Sequence, residues 1–202
     1  MVSFRNLIVS ALALAAPIAA QASPADVVKN IQAITQKSQA LQAPAQSINL
    51  INGPLILIGQ GPFPQIIVGF TDIVSSATTY ITQMQGMAPV PAGAPADAIF
   101  DAFREFVRVH QALLNILIGK AGLFETVPFI GQPIASVLRQ IENVVDTIAF
   151  ALIDTVESRA KDLQGQASAL GNTLDLAVNR YQGIANVKRS LRFAPREIAA
   201  EA

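Results

Sequence analysis

PADAIFDAFREFVRVHQALLNILIG, from Pro95 to Gly119, reads as a helix whose start, stop and buried face are all legible. Pro95 suits a first helical turn, where its missing N–H costs nothing, and Asp97 and Asp101 place negative charge near the positive end of the helix dipole. Ile99, Phe103, Phe106, Leu113 and Leu117 recur at helical spacing on one face, and His110 falls in the same row. A second seam through Phe100, Val107 and Leu114 widens the apolar stripe, which predicts neighbours on both sides. Gly119 followed by Lys120 predicts a left-handed cap and a cation at the negative end.

Working outward, the same period recurs on both sides. Upstream, Ser23-Pro24-Ala25-Asp26 reads as a helix start, and Val27, Ile31, Ile34, Leu41 and Ile48 continue one row to about Leu50, interrupted by the small residues Ser38 and Ala45. Pro44 predicts a kink near Ala43 or two shorter helices. From Pro64 to about Gln85, one row runs through Ile66, Phe70, Ile73, Ala77, Tyr80 and Met84, and a second through Ile67, Val74 and Ile81. The outer face of that helix carries hydroxyls, Thr71, Ser75, Ser76, Thr78, Thr79 and Thr82, with Asp72 as its one charge. Downstream, Pro133 opens a row through Ile134, Leu138, Ile141, Val145, Ile148 and Leu152. A single helix from Pro133 to Tyr181 would rise about 73 Å, twice its neighbours, so a break is predicted near Val156 to Ser158. The last helix then carries Ala160, Leu163, Ala167, Leu170, Leu174, Ala177 and Tyr181, and ends at Gly183. The expected fold is all-α: an up-and-down bundle of about five amphipathic helices of roughly 22 to 26 residues.

The chain has 202 residues, 51% hydrophobic and 14% charged, enough for one well-buried domain. Arg5, the apolar run Leu7 to Ala16 and the cleavage site Ala20-Gln21-Ala22 predict a secretory signal peptide over residues 1–22. That run is shorter than the roughly 20 residues a membrane span needs. The helical, lipid- or surface-binding domain is expected over residues 23–183. A basic tail without fixed structure is expected over 184–202, where Lys188-Arg189 also matches a secretory processing site. No transmembrane segment and no hydrophobic GPI tail are read in the mature chain, so it is expected to be secreted and extracellular. With Arg5 removed, the 14 basic and 14 acidic residues stay within one charge of balance, which argues against nucleic acid as a partner. The absence of cysteine leaves stability to burial.

Function is sought where apolar residues stand outside the helical rows. Asn52 to Pro64 holds Leu55, Ile56 and Ile58 between turn residues, and Lys120 to Gln132 holds Leu123, Phe124, Val127, Phe129 and Ile130. In an up-and-down bundle these two loops emerge at the same end, so Leu55, Ile56, Phe124 and Phe129 are the expected entrance residues. Behind them, Ile66, Phe70, Ile73, Ala77, Phe103, Val107, His110, Leu114, Leu138, Ile141, Val145 and Ile148 are the expected lining of an acyl-lipid pocket. His110 is read in two ways: as a neutral imidazole donating one bond to a carboxylate head group, or as a structural histidine. Enzyme chemistry has no support, since no G-x-S-x-G elbow, metal-ligand cluster or phosphate loop occurs, and no cofactor or metal is expected. The alternative to a pocket is a surface-coating protein that adsorbs to hydrophobic surfaces through its apolar loops.

Three segments carry a family resemblance: DVVKNIQAITQKSQAL at Asp26 to Leu41, LLNILIGKAGLF at Leu113 to Phe124, and IENVVDTIAFALIDTVESRA at Ile141 to Ala160. In these the chain resembles the fungal hydrophobic surface binding protein A family, which includes the cell-wall galactomannoproteins. The resemblance covers roughly Ala25 to Gln182. It implies a secreted helical bundle that binds fatty acids or adsorbs to hydrophobic solids. Glu157 stands where relatives often carry a proline at the helix break, and the GPI-bearing Ser/Thr-rich extension of some relatives is missing. Cell-wall association without a GPI anchor is the localisation that this implies.

Overall fold

Ser23 begins the described helices with a reciprocal cap: its Oγ accepts from the Asp26 N–H at 3.2 Å, and the Asp26 carboxylate accepts from the Ser23 N–H at 3.0 Å. The computed structural model describes residues 22–52, 55, 58–126 and 131–182, with the backbone alone for 124–126. The expected signal peptide and basic tail lie outside the described residues, apart from Ala22. Within them are α1 (Pro24–Ala40), α2 (Gln42–Ser47), α3 (Pro62–Met84), α4 (Ala94–Lys120), α5 (Gly131–Thr155) and α6 (Ala160–Gln182), with 3₁₀ turns at Ala121–Thr126 and Glu157–Arg159. The protein is all-α, five long helices and one short one, with no strand among the described residues.

Pro44 resolves into two helices rather than a bend. The break falls at Leu41, and Pro44 becomes the third residue of α2, a position whose N–H has no partner inside the helix. The cap expected at Gly119 does not form. Gly119 lies inside α4, and the chain runs on through Ala121 in helical conformation into the 3₁₀ turn. Lys120, expected beside its own helix end, instead reaches across to donate to the Ile48 carbonyl at 2.8 Å, just past α2. The break near Val156 occurs where length required it, although Glu157 is no proline. Val156 leaves helical geometry at φ −115°, ψ 60° and is fully buried. The length argument predicts such a break without a proline, because a helix of twice its neighbours' length would leave the bundle.

The long helices close into a ring in the order α1, α4, α6, α5, α3 and back to α1. Cross-links give their directions. Ser38 meets His110 and Ile48 meets Lys120, so α1 and α4 run parallel. Arg159 binds Asp97, Gln111 binds Ala169 and Tyr181 binds the Leu117 carbonyl, so α4 and α6 run parallel too. The Ala22 N–H bonds the Gln83 carbonyl and the Val90 N–H the Thr155 carbonyl, which turns α3 and α5 the other way. The chain alternates up and down, yet three helices ascend and only two descend. Neighbours around the ring are therefore often parallel.

Candidate functional site

Each helix turns its apolar row to the centre of this ring. Ile66, Phe70, Ile73 and Ala77 come from α3, Phe103, Val107, His110 and Leu114 from α4, and Leu138, Ile141, Val145 and Ile148 from α5; all twelve are 3% exposed or less. α4 does not pack along α3 or α5; its row faces theirs across the interior, where the Phe70 and His110 rings stand edge to face with centroids 6.0 Å apart. Exposures so low mean that these twelve side chains are packed against one another and their neighbours rather than bordering open solvent.

His110 is the one imidazole in this apolar centre. Its Nδ1 lies 2.9 Å from Ser38 Oγ, and Ser38 Oγ lies 3.0 Å from the Ile34 carbonyl of the preceding turn. Phe106 stacks beside it, tilted, at 5.3 Å. Its Nε2 is buried without a hydrogen-bond partner among the described residues. Burial holds the imidazole neutral and pushes its pKa down to about 4. The buried polar side chains among the described residues are Thr35, Ser38 and His110, and Thr35 is likewise turned back on a carbonyl, that of Ile31, at 2.8 Å. Sequence reading placed His110 in the buried row but missed its partner. Ser38, read as a small residue interrupting the row of the first helix, was the available signal, because a hydroxyl on a buried face requires an acceptor.

At the upper end, where α2, α4 and α6 finish, the two apolar loops leave on the same side, as the Lys120 bond to the Ile48 carbonyl shows. Of the expected entrance residues, Leu55 is 37% exposed. Ile56 and Phe129 lie outside the described residues, and so does the side chain of Phe124. Leu50, Ile51 and Ile58, at 64%, 87% and 66%, extend the exposed apolar surface beside Leu55. A separate surface groove of about 610 Å³ runs between α1 and α4, lined by Val28, Gln32, Thr35, Asp101, Ala102 and Glu105 among others, and none of the expected lining residues borders it. The outer hydroxyls of α3 turn inward on their own helix, since Thr71, Thr78, Thr79 and Thr82 each donate to the carbonyl four residues back. No metal-holding cluster of His, Asp or Glu is found among the described residues, and no described helix is long and apolar enough to cross a membrane.

An apolar ring interior holding one imidazole, with exposed apolar residues at one end, is what this all-α fold presents. Comparison with solved structures agrees on the fold. The chain is similar to AFMP4P in complex with palmitic acid, at a TM-score of 0.69 and 13% identity over 79% of this chain and 99% of that one. It is also similar to two ligand-binding domains of the Penicillium marneffei MP1 protein complexed with arachidonic acids. Domain 1 has a TM-score of 0.67 at 12% identity over 79% of this chain, and domain 2 a TM-score of 0.68 at 13% identity over 81%, each with 99% of its own chain covered. No family model and no curated protein matches the sequence.

Proposed function

We propose that this chain is a secreted, non-enzymatic carrier of fatty acids or similar acyl lipids, which it holds inside the five-helix ring. The observation that carries the reading is the interior itself: three facing rows of aliphatic and aromatic side chains with a single unpaired polar atom among them. Support comes from structures of the same fold at low identity, whose solved forms hold palmitic and arachidonic acid. The relation to the fungal hydrophobic surface binding proteins, and a place outside the cell, rest on the sequence segments and the leader-like residues 1–22. The energetics suffice. At about 0.8 kcal/mol per buried methylene, ten methylenes give roughly 8 kcal/mol before entropic costs, which corresponds to micromolar binding. Because the lining side chains are packed together, loading requires them to part, and the upper end with its exposed leucines and isoleucines is the natural seam. The test is to delipidate the protein and titrate it with a fluorescent fatty acid: saturable binding near one to a few equivalents is expected, and none at all ends the reading.

A second reading has its own observation. Leu50, Ile51, Leu55 and Ile58 are exposed within a segment, Ser38 to Thr71, that carries no formal charge, and such apolar groups adsorb to wax or plastic without any pocket. Changing these four residues to serine abolishes adsorption if this reading holds, while saturable lipid binding at the interior is retained.

A further inference from the structure

The chemistry of a lipid's head group is constrained by which hydrogen His110 carries. Ser38 has one hydroxyl hydrogen and two neighbours, the Ile34 carbonyl and His110 Nδ1. The carbonyl can only accept. If the hydroxyl donates there and Nδ1–H donates to Ser38 Oγ, both contacts are hydrogen bonds; if the hydroxyl donates to Nδ1 instead, the bond to Ile34 is lost. The arrangement with two bonds leaves Nε2 bare, a lone pair in the apolar centre without a partner.

What surrounds that lone pair excludes a charged guest. From α1 the ring meets Ser38, from α3 Phe70, and along α4 Phe106. The buried side chains of α5 and α6 among the described residues are apolar apart from the Tyr181 hydroxyl, which donates to the Leu117 carbonyl at 2.7 Å. No Lys or Arg is buried among the described residues. An ionised carboxylate placed there would have neither a cation nor a free donor, and an unpaired buried charge takes up a proton instead.

Resting on the lipid-carrier reading, we propose that Nε2 of His110 is the head-group contact and that it accepts a hydrogen bond, so the protein selects lipids bearing an O–H, long-chain alcohols and un-ionised fatty acids, over ionised carboxylates and esters. Selectivity then follows from a hydrogen the ligand has to supply. An ester of the same chain length buries the same methylenes and leaves the lone pair as unpaired as before.

Three ligands of equal chain length separate the outcomes: hexadecanol, its methyl-ester counterpart methyl palmitate, and palmitic acid, each titrated into delipidated protein. Hexadecanol is expected to bind about tenfold tighter than the ester, the equivalent of one well-made buried hydrogen bond. Its affinity stays flat between pH 8 and 6, whereas that of palmitic acid rises as pH falls and the acid gains its proton. In His110→Leu, which leaves the Ser38 bond to Ile34 in place, the preference for alcohol over ester disappears. Equal affinity for alcohol and ester in the unaltered protein overturns the proposal while leaving the carrier reading intact; absence of saturable binding by all three overturns both. ¹⁵N spectra of the His110 ring in the unaltered protein give an independent check: hydrogen on Nδ1 is expected at pH 7, and hydrogen on Nε2 overturns the assignment.

Discussion

A neutral imidazole sealed among phenylalanines makes the stability of the whole chain depend on pH. His110 has its pKa depressed from 6.5 to about 4 by burial, so the unfolded chain binds the proton more readily than the folded one. The stabilisation is complete above pH 6.5 and is lost as pH falls towards 4, a swing of roughly 3 kcal/mol. Denaturant titrations at pH 7 and pH 4 are expected to show that loss, and His110→Leu to remove most of it. Glu142 acts in the opposite sense. Partial burial, with Asp175 and Asp146 close by, raises its pKa above the usual 4.5, so its cost is absent in acid, sets in as pH rises past 4.5 and is complete above the folded value. Being half-exposed, it offsets only a small part of the His110 effect. At this scale the sequence was informative about placement and silent about pairing. Periodicity put His110 in the core, but its contact with Ser38 joins residues 72 apart, which no local pattern encodes.

Helix boundaries show where local rules hold. The cap at Ser23, the split forced by Pro44 and the break at Val156 follow from side-chain chemistry or from length, and all three are found. Gly119 fails as a stop because a glycine is only permitted, not obliged, to turn left-handed; with helical chain continuing through Ala121, nothing required it. Gly131 has a different constraint. It opens α5 directly against the Tyr181 backbone carbonyl of α6, and a Cβ there would collide with that carbonyl. Gly131→Ala is expected to cost about 1–3 kcal/mol by wedging the two helices apart, read as a lower denaturant midpoint with an unchanged far-ultraviolet spectrum. The reason was invisible in sequence, since it depends on the antiparallel meeting of α5 and α6.

For the whole molecule, the number and amphipathic character of the helices were legible, and their order around the ring was not. Apolar rows tell which face of a helix is inward, but any cyclic arrangement of five such faces buries them equally well. Which helices become neighbours is decided by particular cross-links, such as Arg159, in the turn that leads into α6, on Asp97 of α4 at 2.6 Å. The candidate lining was readable for the same reason as the core, because the two are the same residues. A guest bound there shares in the stability of the fold. At a free palmitic acid concentration 100 times its dissociation constant, unfolding is expected to cost about 2.7 kcal/mol more than in the empty protein, measured as a shift of the thermal midpoint that grows with ligand.

An odd count of long helices has a practical corollary for anyone handling this molecule. Having crossed the barrel five times, the polypeptide leaves at Gln182 on the opposite rim from Ala22, some 35 Å away, and on the same rim as the greasy loops. A tag, bead or neighbouring domain spliced after Gln182 crowds that rim, whereas one spliced ahead of Ala22 leaves it facing outward. Attachment by the front of the chain is thus the geometry in which the proposed lipid loading, or the proposed adsorption, is tested without obstruction.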